Sequence, residues 1–214
     1  MDASPRIAPF DAHAERYENW FERHREAYVS ELLAVRALLP WQGRGLEIGV
    51  GSGRFAAPLG IQVGIDPSPA MRGYAQARGV ETLHGVAERL PFADAEFDRV
   101  LAVTTICFVQ SAPAMLAEAR RVLRPGGHLV IGLVDRDSPM GQHYLAHQAE
   151  SVFYRPAMFF SATEVENLLQ QAGFTVDQWV QTLFRPLEAI TDIEALRPGH
   201  GDGGFVVVSA TRPD

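Results

Sequence analysis

The chain has 214 residues, a formal net charge of −7, and 47% hydrophobic residues. This length suffices for one well-buried core, and the composition excludes a disordered or fibrous protein. The excess of acidic residues disfavours nucleic acid as a partner, because a phosphate backbone would be repelled. The apolar runs are too short for a membrane span and the N-terminus lacks a signal-peptide pattern, so we expect a cytoplasmic protein.

The N-terminal part of the chain is predicted to be helical. Apolar residues recur at helical spacing between Phe10 and Leu39, which indicates one or two helices. We therefore interpret residues 1–40 as a helical N-terminal extension or cap, and residues 41–214 as the main domain.

From residue 45 onward, strand-like runs alternate with helix-like stretches, which is typical of a parallel sheet built from crossover units. The predicted strands are Gly45–Ile48, Gln62–Ile65, Val80–His84, Phe97–Val103, His128–Val134, Thr175–Leu183 and Gly204–Ala210. The predicted helices are Phe55–Leu59, Pro69–Arg78, Pro113–Leu123 and one that begins with the capping pattern Ser161–Glu164. No crossover helix separates the last two strands, so they should pair antiparallel.

Residues Ser138–Phe160 contain many aromatic side chains without a clean period. We interpret this segment as an insertion over the carboxyl edge of the sheet.

The segment Leu46–Gly53 reads LEIGVGSG, a strand followed by alternating glycines. Such glycines permit a sharp turn and leave room for a ligand, although a purely structural turn is the alternative for the loop alone. Asp66 ends the next strand, at the offset where an acid binds ribose hydroxyls in dinucleotide folds. Arg54 stands where a dinucleotide motif has its third glycine, which favours a ligand without a pyrophosphate.

Together these motifs resemble the class I S-adenosylmethionine-dependent methyltransferases, in the small-molecule (type 11) branch that includes ubiquinone and menaquinone biosynthesis enzymes. The resemblance is carried by LEIGVGSGRF (Leu46–Phe55), GIDPSPAM (Gly64–Met71), AERLPFADAEFDRVLAV (Ala87–Val103), RVLRPGGHLVIG (Arg121–Gly132) and GGFVVVSATR (Gly203–Arg212). It implies a Rossmann-like three-layer α/β sandwich with a mostly parallel seven-stranded sheet and an antiparallel last strand. It also implies the cofactor S-adenosylmethionine, with S-adenosylhomocysteine as product.

The same resemblance implies roles for individual residues, which follow the chain from the glycine loop to the fourth strand and include two aromatic residues of the cap. The methionine end of the cofactor would be held by Glu47, Gly49, Val50, Gly51 and Gly53, the ribose by Asp66, and the adenine by Pro67 and Met71. An acid often precedes the Ala-Glu pair in this family, but here that position is Val86, so Glu88 or the backbone of Ala87 would substitute. Val103 and Thr104 would approach the methionine moiety or the acceptor, and the cap aromatics are Tyr17 and Trp20, for which simple packing is an equal alternative.

The expected reaction is in-line methyl transfer to a small-molecule acceptor. A general base is needed only if the nucleophile stays protonated, and His143, His147, Tyr154 and Tyr17 are candidates by position alone. We predict no metal, because no complete ligand set accompanies the histidines. A cofactor-binding module without catalysis and a nicotinamide-dependent oxidoreductase are the alternatives, and the acceptor, the methylated atom, the catalytic residues and the oligomeric state stay open.

Overall fold

Helices and strands alternate through residues 8–214, which are the part of the chain that the computed structural model describes. The helices are Ala8–Ala12 (α1), Ala14–Arg23 (α2), Arg25–Leu38 (α3), Pro69–Ala77 (α4), Ala112–Val122 (α5), Pro139–Ala146 (α6) and Ala162–Gln171 (α7). The strands are Gly45–Ile48 (β1), Val63–Ile65 (β2), Glu81–Leu83 (β3), Phe97–Val103 (β4), Leu123–Val134 (β5), Thr175–Thr182 (β6), Arg197–Pro198 (β7) and Phe205–Thr211 (β8). Single 3₁₀ turns lie at Gln148–Glu150 and Leu187–Ala189.

These strands form one sheet in the order β3-β2-β1-β4-β5-β8-β6-β7. The strands from β3 to β5 run parallel, and β8 lies between β5 and β6 and is antiparallel to both. The predicted Rossmann-like fold with an antiparallel last strand is confirmed. The predicted count of seven strands is one too few, because β7 adds a two-residue edge strand that is too short to leave a sequence pattern.

Both faces of the sheet are covered, which gives three layers. On one face, Val100 of β4 belongs to the same buried cluster as Leu116 of α5. On the other face, the next residue, Leu101, belongs to a cluster with Val35 of α3. This alternation follows from the period of two along a strand, which sends successive side chains to opposite faces.

The predicted helix Phe55–Leu59 is wrong, because the chain forms turns there. The amide N–H of Ala57 donates to Gly53 (3.1 Å) and that of Leu59 to Phe55 (3.2 Å), but Pro58 between them has no N–H to continue the series. The carbonyl of Arg54 instead accepts a hydrogen bond of 2.6 Å from the Tyr28 hydroxyl. An interrupted segment of five residues is too short to sustain a helix alone.

Two other boundaries differ from the prediction. The N-terminal segment forms the three helices α1, α2 and α3, with breaks at His13 and His24, where one or two helices were expected. Strand β5 begins at Leu123 directly after α5, because Leu123 already pairs with Phe97. Residues 1–7 of the predicted cap lie outside the described residues.

The helix predicted from the capping pattern is confirmed as α7. The amide N–H of Glu164 donates to the Ser161 hydroxyl (3.2 Å), and the amide N–H of Ser161 donates to the Glu164 carboxylate (2.9 Å). In the predicted insertion, the Ser138 hydroxyl accepts from the amide N–H of Gly141 and begins α6. No helix between residues 8 and 214 combines the length and the apolar character needed to cross a membrane.

Gly64 of β2 lies close to Val50, which follows β1, and leaves no room for a side chain. A Cβ atom added at Gly64 would lie 2.5 Å from the Cβ atom of Val50, whereas one added at Gly73 of α4 would meet nothing within 4 Å. We expect Gly64→Ala to lower the free energy of unfolding by about 1–3 kcal/mol through overpacking. Gly73→Ala should raise it by about 0.4–1 kcal/mol, since alanine restricts the unfolded chain. Thermal unfolding measures both, and equal melting temperatures for the two variants would contradict the packing argument.

Candidate functional site

The glycine loop after β1 turns back sharply over the end of the sheet. Gly49, Gly51 and Gly53 have φ angles of +68°, +50° and +79°, which other residues rarely adopt. A side chain at Gly49 would overlap Thr105, and one at Gly53 would lie 3.0 Å from the Cα atom of α4 residue Ala75. These two glycines permit close packing, whereas a Cβ atom at Gly51 would make an ordinary contact with the Tyr17 hydroxyl at 3.7 Å.

Asp66, directly after β2, is bound by two backbone amides. The N–H of Gly51 donates to Oδ2 (2.9 Å) and the N–H of Ser68 donates to Oδ1 (2.8 Å). Burial raises the pKa of Asp66 to about 6, although these two hydrogen bonds oppose the increase. The carboxylate is therefore fixed beside the glycine loop and lines the same cavity.

Glu47 of β1 is a second buried acid and lies just before the loop. It is 2% exposed, and its Oε2 atom has no hydrogen-bond partner among the described residues. Burial holds the pKa of Glu47 well above its ordinary value, despite a hydrogen bond from the backbone of Ala56. Such an unpaired buried oxygen is costly unless a ligand or a water supplies a donor. Glu47 thus fits a bound group that carries an ammonium.

These elements surround a cavity of about 480 Å³ at the carboxyl ends of the parallel strands. This location is where open α/β sheets bind their ligands. The structure brings most of the predicted site residues to this cavity: Tyr17, Trp20, Gly49, Gly51, Asp66, Pro67, Met71, Ala87, Glu88, Val103 and Thr104. Three predicted residues do not line it: Glu47, Val50 and Gly53.

After burial and the charge of Asp66, the charge of Glu47 nevertheless helps to raise the pKa of Tyr17, which lines the cavity. Val50 packs against Gly64 of β2, and Gly53 against Ala75 of α4. The motif therefore mixes groups that face the cavity with groups that support the loop.

Glu88 has a defined local role. Its Oε1 atom accepts hydrogen bonds from the backbone N–H groups of Gln110 (2.6 Å) and Ser111 (3.2 Å). It thereby connects the segment after β3 to the start of α5. Val86, at the position where the resemblance predicts an acid, also lines the cavity and is 42% exposed.

Helix α2 is attached to the glycine loop by ion pairs. Arg54 contacts Glu18 (3.0 Å) and Glu22 (2.8 Å), and Arg78 also pairs with Glu18. Burial raises the pKa of Glu18, but the polar Ser52 side chain nearby and hydrogen bonds from Arg54 and Arg78 outweigh it and lower the pKa below its ordinary value. Arg54 stands at the third-glycine position of a dinucleotide motif. Its ion pairs connect the loop to α2, the helix that carries Tyr17 and Trp20.

Aromatic side chains form much of the remaining wall. Tyr154 stacks on Tyr144, with 5.2 Å between the ring centroids, and Phe10 meets Phe153 at 5.3 Å. Burial raises the pKa of both Tyr154 and Tyr17 well above the ordinary value. His143 of α6 and His147, the C-cap of α6, were candidate bases by position. Neither residue lines the cavity.

Sequence reasoning missed several lining residues: Phe10, Glu31, Phe108, Leu183 and Leu187. Glu31 carried a usable signal. It follows Ala27 by four residues and precedes Ala34 by three, so a carboxylate lies on the apolar face of α3. Phe108 and Leu183 lie in loops, and Phe10 and Leu187 lie in helical turns that are too short to show a period.

Similarity to known proteins agrees with this geometry. Residues 46–131 match a family described as "Methyltransferase domain". A solved structure from Thermotoga maritima, described as a SAM-dependent methyltransferase and possible histamine N-methyltransferase, is 48% identical, with a TM-score of 0.93 over 96% of this chain and 98% of that chain. An uncharacterized protein of Methanocaldococcus jannaschii is 42% identical over 95% of this chain and 98% of its own length.

A more distant relative is the malonyl-[acyl-carrier protein] O-methyltransferase of Methylococcus capsulatus, 28% identical over 78% of this chain and 64% of that protein. The fold is that of an α/β protein with a cavity at the carboxyl ends of its parallel strands. The chain belongs to the S-adenosylmethionine-dependent methyltransferases. Membership of this family argues against both alternatives from the sequence analysis, a nicotinamide-dependent oxidoreductase and a cofactor-binding module without catalysis.

The ion pairs of Glu18 generate a prediction about the cap. Glu18→Gln leaves Arg54 and Arg78 without a partially buried anion, which should cost about 1–3 kcal/mol. We expect a lower melting temperature and faster amide hydrogen exchange in residues 14–23. Glu15→Gln, at an exposed position of the same helix, is the matched control. Exchange in α2 that is unchanged by Glu18→Gln would show that the ion pairs do not hold the helix.

Proposed function

We propose that this methyltransferase acts on a small-molecule acceptor, in the cytoplasm, within the cavity described above. The observation that carries the proposal is the continuity of this cavity. One wall contains the glycine loop and Asp66, and the other contains aromatic side chains such as Tyr144 and Tyr154. A cofactor and an apolar or planar acceptor would thus share one enclosed space.

The cofactor would be held by residues from β1 to β4 and from α2. Glu47, with its unpaired oxygen, would attract the ammonium of the methionine end across the loop that includes Gly49, Val50, Gly51 and Gly53, although Glu47 does not itself line the cavity. Asp66 would accept hydrogen bonds from the ribose hydroxyls. The adenine would lie between Pro67, Met71, Ala87 and Glu88, and the methionine end would contact Val103, Thr104, Tyr17 and Trp20.

S-adenosylmethionine supplies an activated methyl group on a sulfonium. The chain's own contribution is to align the acceptor and to exclude water. Phe10, Phe153 and Tyr17 are in mutual ring contact at 5.3–5.8 Å and would close the cavity from the N-terminal side. Residues 1–40 would in this way act as a cap on the methyltransferase domain of residues 41–214.

The charge of the wall supports a small molecule rather than a nucleic acid. Among the described residues that line the cavity there is no Lys, Arg or His, so no cationic side chain there would neutralise a phosphate. The description of the Thermotoga maritima relative also names a small-molecule acceptor. We assign no general base and no metal.

Calorimetric titration tests the cofactor assignment. We expect S-adenosylhomocysteine to bind and NAD not to bind. Asp66→Ala should weaken the binding of S-adenosylhomocysteine about 10- to 100-fold, because charge-assisted hydrogen bonds of about 1.5–3 kcal/mol are lost. Asp202→Ala, at an exposed position away from the cavity, is the control, and circular dichroism checks that both variants are folded.

Preferential binding of NAD, or equal affinity of Asp66→Ala and the wild type for S-adenosylhomocysteine, would overturn the assignment.

The raised pKa of Asp66 predicts a pH dependence. Protonation below a pKa of about 6 removes the acceptor charge, so affinity for S-adenosylhomocysteine should fall by up to about tenfold per pH unit below that value. The pKa of Asp66 lies above that of an Asp in the unfolded chain. Protonation of Asp66 therefore relieves a burial penalty and does not lower the free energy of unfolding. Asp66→Asn should show a flatter profile between pH 5 and about pH 7. The same loss in that variant would assign the pH dependence to another group.

A further inference from the structure

The cavity contains one buried acid for which the cofactor has no evident use. Glu31 of α3 lines the cavity, is 8% exposed, and receives no hydrogen bond or ion pair from residues 8–214. The other lining acids, Asp66 and Glu88, are each bound by two backbone amides. Glu31 is therefore the acid of the described wall whose hydrogen-bonding capacity is unused.

A buried carboxylate without a partner is unfavourable unless it is protonated or meets a cation. Burial raises the pKa of Glu31 to about 8, and no neighbouring cation opposes this increase. A ligand that carries a positive charge would therefore bind favourably beside the Glu31 carboxylate.

Helix α3, which carries Glu31, packs against β5, β6 and β8. The same part of the sheet contributes Val134, at the end of β5, and Leu183, directly after β6, to the cavity wall. Asp66 follows β2, which is separated from β5 in the sheet by β1 and β4. Asp66 and the helix that carries Glu31 therefore lie over different halves of the sheet.

Aromatic side chains line the same cavity as this acid, among them Tyr17, Tyr144 and Tyr154. Burial is the main cause of the raised pKa of these three tyrosines, and the charge of Glu31 adds to it. Aromatic rings attract cations through their faces, and an adjacent carboxylate adds to this attraction. An anionic acceptor would be repelled by the same wall.

We infer that Glu31 binds a protonated amino group of the methyl acceptor, which makes the acceptor a small amine with an apolar body. This inference rests on the proposed methyl transfer to a small molecule. It assigns Glu31 as a specificity-determining residue that fixes the charged end of the acceptor. The methylated atom need not be the same nitrogen.

Calorimetry on protein saturated with S-adenosylhomocysteine tests the assignment. The probes are three amines, phenethylamine, tryptamine and hexylamine, each paired with its uncharged alcohol, 2-phenylethanol, tryptophol and 1-hexanol. We expect at least one amine to bind at least tenfold more tightly than its alcohol. Glu31→Gln, which keeps the shape of the side chain and removes its charge, should abolish that difference.

Glu26→Gln is the matched control, because Glu26 lies on the same helix and does not line the cavity. It should keep the preference for the amine. The inference is overturned if no amine binds more tightly than its alcohol, or if Glu31→Gln retains the preference. Binding of S-adenosylhomocysteine is recorded first for every variant. Its absence in the wild type would refute the proposed function, whereas its presence without amine selectivity would refute only the role of Glu31.

Discussion

The hydrogen bond from the N–H of Gly51 to the Asp66 carboxylate is the contact on which the arrangement of the site depends. It joins the loop after β1 to the residue after β2, at the edge where two parallel strands end side by side. Gly51 donates from a left-handed conformation that most residues avoid. The glycine loop, the acid and the position of the cavity are thus consequences of one local geometry.

Stability and function are opposed at this edge of the sheet. Asp66, Glu47 and Glu31 are all buried acids with raised pKa values, because burial disfavours the charged form of each carboxyl group. An apolar residue at any of these positions would remove that penalty. The cost is concentrated around the cavity, while the two faces of the sheet are packed with aliphatic side chains. Strain of this kind is typical of sites that complete their interactions with a ligand.

The parallel strands and the glycine loop could be predicted because their signals are local: an apolar run, a glycine pattern and an acid at the next strand end. Helix Phe55–Leu59 was predicted wrongly because Pro58 breaks its hydrogen bonds and Tyr28, distant in sequence, supplies the replacement. The edge strand β7 has only two residues and no period of its own. Glu31 was missed because its place in the cavity wall depends on how α3 packs against strands that are far along the chain.

The hydrogen bond from the Tyr28 hydroxyl to the carbonyl of Arg54 also connects helix α3 to the segment after the glycine loop. Tyr28 and Glu31 lie on the same helix, while Arg54 follows the glycine loop directly. A displacement of the loop would therefore be transmitted to the helix that carries Glu31. Ligands that each order one of these elements would bind with positive cooperativity, and thermodynamic linkage makes that coupling equal in both directions.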